Sequence, residues 1–209
     1  MKYTRNSPKP SGEICIRGPA IFKGYFKNKK LTEETLDADG WLHTGDVGCI
    51  EAKNKLRIID RVKNIFKLSQ GEYIVPEKLE RAYEQSSLIM QVFIHGDSMR
   101  NHIVAIIFPE PDELKSFCAT RNLSGSTVEE QIKHPEVLKA IESDLSRLAK
   151  DSNFNSLEKV KGNFELITKE FEVGVVLTPT MKIKRKDARD LYADAIARIY
   201  KRADALIDV

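Results

Sequence analysis

The sequence predicts an α+β protein in two parts, and three observations carry that prediction. Residues 1–60 are rich in turn signals and in short stretches of alternating polarity, the mark of half-buried strands. A charged run, Asp60-Arg61-Val62-Lys63-Asn64, then interrupts the β-prone pattern. Beyond it, over 65–209, helical periodicities alternate with two continuous apolar runs, as expected of strands covered on both faces.

Taken in order, Glu13-Ile14-Cys15-Ile16-Arg17 alternates polar and apolar side chains between Gly12 and Gly18-Pro19, and predicts the first strand. Residues 32–35 have room for one short helical turn. Asp39-Gly40 is a strong turn signal before Trp41-Leu42-His43-Thr44. Gly45-Asp46-Val47-Gly48 predicts a loop with Asp46 at its tip, followed by a strand around Cys49-Ile50, and 56–59 predicts another. Three or four short strands are part of a barrel or sandwich but too few to close one, so a preceding portion of chain is expected. The charged run reads as an unstructured joint between two compact bodies.

After the joint, 65–68 is β-prone, Ser69-Gln70-Gly71-Glu72 reads as a turn, and Pro76 is placed for the first turn of a helix. The apolar runs 89–94 and 103–108 predict two strands joined by a turn at 95–98. Residues 112–121 predict a short helix and 123–127 a loop. Pro135 begins an amphipathic helix whose stripe is Val137, Leu138, Ile141, Leu145 and Leu148. A third strand is predicted at 163–167. From Asp187 onward, Leu191, Tyr192, Ala195, Ile196, Ile199, Ala203 and Leu206 lay out a single last helix.

At 209 residues, 41% hydrophobic and 31% charged, the chain can build a core in one or two domains, which excludes a disordered chain. Lys and Arg exceed Asp and Glu by only 34 to 31, so bulk charge argues for neither a nucleic-acid nor a membrane partner. Any anion binding must come from local clustering. Cys15, Cys49 and Cys118 are odd in number and lack a Cys-x-x-Cys spacing, which favours a reducing compartment and buried thiols over disulfides or zinc. His43, His95, His102 and His134 are scattered and read as structural or surface residues, so no metal site is predicted within this chain. No apolar run approaches the roughly 18 residues that cross a bilayer, and the N-terminus lacks a signal-peptide pattern. A cytoplasmic location is expected, with membrane association left to a preceding portion.

Three places carry candidate chemistry. In Asp39-Gly40-Trp41-Leu42-His43-Thr44-Gly45-Asp46, a carboxylate following a glycine can accept both vicinal hydroxyls of a ribose, its charge strengthening each bond. The plainer alternative is that Asp46 caps a turn. In 177–186, Lys182, Lys184, Arg185 and Lys186 place four cations in five positions directly before a helix start. There they oppose the helix dipole at about 0.3–1 kcal/mol each where exposed, so they do not serve local helix stability. A mobile lysine can neutralise charge on an α-phosphate and a carboxylate as they react; the alternative is a solvated basic loop. Gly71 allows close approach of backbone to a thin ligand, or is simply a hairpin glycine.

These stretches carry a resemblance. Asp60-Arg61-Val62-Lys63-Asn64 followed by Ser69-Gln70-Gly71-Glu72-Tyr73-Ile74-Val75-Pro76 resembles the hinge and hairpin of the adenylate-forming acyl-CoA synthetases, in the form of their long-chain fatty acid branch. Gly12-Glu13-Ile14-Cys15-Ile16-Arg17-Gly18-Pro19, Gly24-Tyr25 and Trp41-Leu42-His43-Thr44-Gly45-Asp46-Val47-Gly48 precede it in the family's order. Thr178-Pro179-Thr180-Met181-Lys182, with Arg185, is similar to the family's terminal catalytic-lysine motif. Asp60, Lys63 and Met181 depart from the wider superfamily, which has Gly-Arg-x-Asp and often glycine there, while fitting the long-chain branch.

The resemblance implies the C-terminal portion of a long-chain fatty acid–CoA ligase, an AMP-forming acid–thiol ligase. Residues 1–60 would end the large adenylating domain, 61–63 would be a hinge, and 64–209 the small α+β lid. Lys182 would be catalytic, Asp46 and Arg61 would bind the nucleotide, Lys63 would be the pivot, and Gly71 would lie on the CoA path. Fatty acid, ATP and CoA are implied as substrates, with Mg2+ held upstream of this chain. The family's Ser/Thr/Gly-rich phosphate loop and its Tyr-Gly-x-Thr/Ser-Glu segment are absent from these 209 residues, so the chain alone is expected to be inactive. Two alternatives remain open: a non-catalytic binding module with the lid fold, and an adenylating enzyme for another acid, or an oxidase, on the same scaffold.

Overall fold

The computed structural model describes residues 11–51 and 55–205. The chain divides into two compact units, Met1–Ile65 and Phe66–Val209.

Unit 1 is an antiparallel three-stranded sheet in the order β1 (Ser11–Ile16), β2 (Leu42–Glu51), β3 (Lys55–Arg61), with α1 (Lys29–Thr35) between the first two strands. The side chain of Asn28 caps α1 by accepting from the Leu31 amide at 3.0 Å. The structure corrects the predicted loop tip at Asp46, because β2 runs straight through Gly45-Asp46. Gly45 adopts a φ of +72°, and the register slips between Glu13 and Cys15 on one side and between Val47 and Gly48 on the other. The two glycines therefore mark bulges within a strand instead of ending it. Val47, Cys49 and Asp60 are buried here.

Unit 2 opens with a hairpin of β4 (Phe66–Lys67) and β5 (Tyr73–Ile74), followed by α2 (Pro76–Tyr83). Pro76 occupies the first helical turn, as expected from its missing N–H. A mixed sheet follows in the order β6 (Ile89–His95), β7 (Val104–Pro109), β8 (Phe164–Leu166), antiparallel between the first pair and parallel between the second. The crossover from β7 to β8 contains α3 (Pro111–Thr120), α4 (Val128–Gln131) and α5 (Pro135–Asp151). Helices α6 (Arg185–Leu191) and α7 (Ala193–Ala205) are the last elements among the described residues.

Every residue of β7 is buried, which accounts for its unbroken apolar run. Ala105 and Ile107 join a cluster with Leu79, Tyr83, Ile141 and Leu145, whereas Val104 and Ile106 face a second one with Leu177, Ile196 and Ile199. Each buried Val, Leu or Ile among them contributes on the order of 1.5–3 kcal/mol.

Three helical details differ from expectation. Helix α4 follows directly on the predicted loop at 123–127, in a stretch given no element; its capping box, Thr127 with Glu130, is legible afterwards as a Thr-x-x-Glu signal. Leu138 is 39% exposed and leaves the α5 stripe, whereas Ala149 joins it. The predicted last helix is two helices, because Tyr192 leaves helical φ/ψ and packs its ring on Phe171. Leu191 is consequently 57% exposed, and Leu206 lies outside the described residues. Among the described residues no helix is long and apolar enough to cross a membrane.

Candidate functional site

Lys182 sits on a tight turn closed by three hydrogen bonds. The Thr178 amide donates to Lys182 O at 2.8 Å, the Met181 amide to Thr178 O at 2.9 Å, and the Lys182 amide to Thr178 Oγ1 at 3.1 Å. The turn brings Met181 to a φ of +60°, the left-handed region where glycine is favoured. A side chain there costs about 1–2 kcal/mol. Lys182 is exposed, and among the described residues no acceptor meets its ammonium.

The basic cluster that the sequence places around it separates into two kinds. Lys184 is tied down, its Nζ 2.8 Å from Val175 O, 3.2 Å from Gly174 O and 2.5 Å from Asp187. Arg185 turns inward instead of sharing a solvated basic loop. Its guanidinium meets Glu80 through two parallel bonds of 2.9 and 2.6 Å, with side chains only 17% and 6% exposed. Glu80 Oε1 also accepts the Ile94 amide at 2.8 Å. The pair fixes the start of α6, three residues from Lys182, to α2 and β6. Sequence reasoning missed it, although Glu80 offered a signal: it lies on the apolar face of α2 with Pro76, Leu79 and Tyr83.

In unit 1, Asp46 and Arg61 are brought together. They are cross-strand partners on β2 and β3, and Arg61 Nε lies 3.1 Å from Asp46 Oδ1. Arg61 Nη2 also donates to Thr44 O at 3.2 Å. This clamp leaves Asp46 Oδ2 with no partner among the described residues, so the carboxylate is both held and able to accept hydroxyl donors.

The joint is more ordered than an unstructured link. Strand β3 extends through Arg61, and the Val62 amide donates to Gly45 O at 2.8 Å. The Asn64 and Ile65 amides both donate to Arg61 O, at 3.0 and 3.2 Å. Asp60, 3% exposed, accepts Asn64 Nδ2 at 2.9 Å and the Arg61 amide at 2.6 Å through Oδ1. Its Oδ2 is buried without a hydrogen-bond partner. Lys63 is exposed at the crest of this turn.

Gly71 closes the β4–β5 hairpin with a φ of +91°, its amide donating to Leu68 O at 2.9 Å. The hairpin is held by the Ser69 amide to Arg100 O and Gln70 Nε2 to Asn101 O. A Cβ at Gly71 would meet nothing closer than Lys67 Cε at 3.6 Å, so backbone conformation and not crowding requires glycine. Gly71 and Lys182 lie on separate turns of unit 2.

The family model of the AMP-binding enzyme C-terminal domain matches residues 63–204. The chain is 44% identical over 207 residues to long chain acyl-CoA synthetase 6, peroxisomal, of Arabidopsis thaliana, covering 98% of this chain and 29% of that protein. It is 46% identical over 190 residues to long-chain-fatty-acid–CoA ligase 1 of Cavia porcellus, covering 90% and 27%. Among solved structures, the A domain of carboxylic acid reductase from Segniliparus rugosus, in complex with AMP and a co-purified carboxylic acid, superposes with a TM-score of 0.82 at 29% identity, covering 96% of this chain and 30% of that one. The chain thus spans under a third of the length of the curated relatives it matches. The match runs through the mixed sheet and the helices around it, and the chain belongs to the AMP-binding enzyme C-terminal domain family.

Proposed function

We propose that this chain is the C-terminal portion of an AMP-forming long-chain fatty acid–CoA ligase. The observation that carries the reading is Lys182: an exposed ammonium without a partner, on a rigid turn whose neighbours Lys184 and Arg185 are tethered. The names of the curated relatives support the substrate class.

In the first half-reaction a fatty carboxylate oxygen attacks the α-phosphorus of ATP, pyrophosphate leaves, and acyl-AMP forms. Lys182 neutralises charge shared by the entering carboxylate and the α-phosphate. Asp46 accepts the ribose hydroxyls, and Arg61 holds Asp46 in place beside the nucleotide. Unit 2 then turns about Lys63, and the CoA thiol attacks the acyl carbonyl, releasing AMP. The open, Cβ-free surface at Gly71 admits the thiol arm. The chain would work in the cytoplasm, with any membrane attachment supplied elsewhere in the parent.

Mg2+ takes oxygen ligands. Among the described residues the only cluster of three metal-ligating side chains, Glu13, Cys15 and His43, includes a thiol. The described residues do not fit Mg2+.

The test is Lys182→Ala in the full-length parent. Fatty-acid-dependent pyrophosphate exchange should fall about 100- to 1,000-fold, while thioester formation from supplied acyl-AMP is nearly spared. Exchange within a few-fold of wild type would make Lys182 an ordinary surface lysine and sink the assignment.

A further inference from the structure

Outside the residues assigned so far, one cluster in unit 1 gathers donors of three chemical kinds. Glu13 and Cys15 stand two apart on β1, and His43 on β2 is the cross-strand partner of Cys15. His43 Nδ1 lies 3.0 Å from Glu13 Oε2 and 3.6 Å from Cys15 Sγ, and the three donor atoms are within 4.8 Å of one another. Around a tetrahedral ion with bonds of about 2.0–2.1 Å to N and O and about 2.3 Å to S, ligand-to-ligand edges are about 3.3 Å for N to O and about 3.6 Å for N to S. The N-to-S spacing seen here matches that edge, and the N-to-O spacing falls slightly short of it.

The surroundings fit the same reading. His43 Nε2 lies 3.5 Å from Asp37 Oδ2, the carboxylate partner that orients most metal-bound imidazoles. Asp37 is itself held by the Asp39 and Trp41 amides at 3.0 and 2.8 Å. The Gly45 amide donates to Glu13 Oε1 at 3.1 Å, leaving Oε2 for an ion.

We propose that Glu13 Oε2, Cys15 Sγ and His43 Nδ1 form a zinc-class divalent-cation site whose fourth position is left to water. A thiolate with an imidazole selects Zn2+ over Mg2+ and Ca2+. The site ties β1 to β2 and is independent of the ligase assignment. Sequence spacing conceals it, because the imidazole comes from a different strand and the Cys is solitary in its neighbourhood.

The experiment is a Co2+ titration of the reduced, chelator-stripped 209-residue chain. One equivalent should produce tetrahedral visible absorption and a near-ultraviolet sulfur-to-cobalt charge-transfer band, both abolished by one equivalent of Zn2+ but not by millimolar-range excess Mg2+. Cys15→Ser should remove the charge-transfer band, whereas Cys49→Ser and Cys118→Ser keep it. Asp37→Asn should keep the band and weaken binding about 10- to 100-fold, as loss of an outer carboxylate partner does. Wild-type chain that takes up no Co2+ would show that His43 merely bridges two carboxylates as an imidazolium, and would overturn the site. So would a band that survives Cys15→Ser, or equal displacement by Mg2+.

Discussion

Arg185→Leu tests the link between the core of unit 2 and the turn that carries Lys182. The substitution removes a guanidinium that makes two hydrogen bonds to a carboxylate only 6% exposed. Removing one partner of a buried ion pair typically costs about 3–5 kcal/mol. For a chain of this size each kcal/mol moves the midpoint by roughly 2–4 °C, so a fall of roughly 6–20 °C is expected. Thermal and urea unfolding of the 209-residue chain, followed by circular dichroism, gives the number. Trp41, the single tryptophan, lies in unit 1, so its fluorescence transition should stay in place and acts as an internal control. Adding Glu80→Gln should recover much of the loss, since a neutral side chain costs less to bury than a carboxylate that has lost its guanidinium. The reasoning is refuted if Arg185→Leu costs under about 1 kcal/mol, or if the two substitutions simply add.

Lys63→Pro in the full-length parent fixes φ at the crest of the joint, where the Lys63 amide donates no backbone hydrogen bond among the described residues. Adenylation should be near normal and thioester formation slow; equal loss of both would point to misfolding. The 209-residue chain alone should make no acyl-CoA from ATP, palmitate and CoA, and turnover free of contaminating enzyme would overturn the domain assignment. Burial holds the His95 imidazole below its ordinary value of 6.5. A depressed histidine contributes stability that is present above its unfolded pKa and lost as pH falls from there toward the folded value. The urea midpoint of unit 2 should therefore drop as pH falls below about 6.5, with a shallower slope in His95→Gln; an unchanged slope removes His95 as the source.

Much of unit 2 is legible in the sequence because its signals are local or strongly periodic. Pro76 ahead of α2, the two apolar runs of β6 and β7, and the glycine of the β4–β5 turn all depend on residues within a few positions. What escapes is set by distant partners. Arg185 reads as one cation among four until Glu80, 105 positions away, claims it. Gly45-Asp46 carries turn residues, but Asp46 pairs with Arg61 of β3 and Gly45 O accepts the Val62 amide, and this ladder overrides the turn signal. Of the candidate site, the pairing of Asp46 with Arg61 is prefigured only as two residues near one ligand; their direct contact depends on a register that bulges shift. Asp60 inside a charged run gives no hint that it is buried, because its burial comes from folding the run back on itself.

The burial of β7 on both faces has a kinetic consequence. Its antiparallel partner β6 is close in sequence, so that hairpin can close early, on the microsecond scale of such events. Its parallel partner β8 pairs Phe164 with Ala105, roughly 60 positions on, and must wait until the intervening helices have collapsed. The sheet is thus completed late, by a three-residue strand that closes a long loop. Once closed, the β7 amides have no route to solvent short of opening the whole unit. In deuterium exchange they should be the last in the chain to be replaced, at a rate that reports global unfolding.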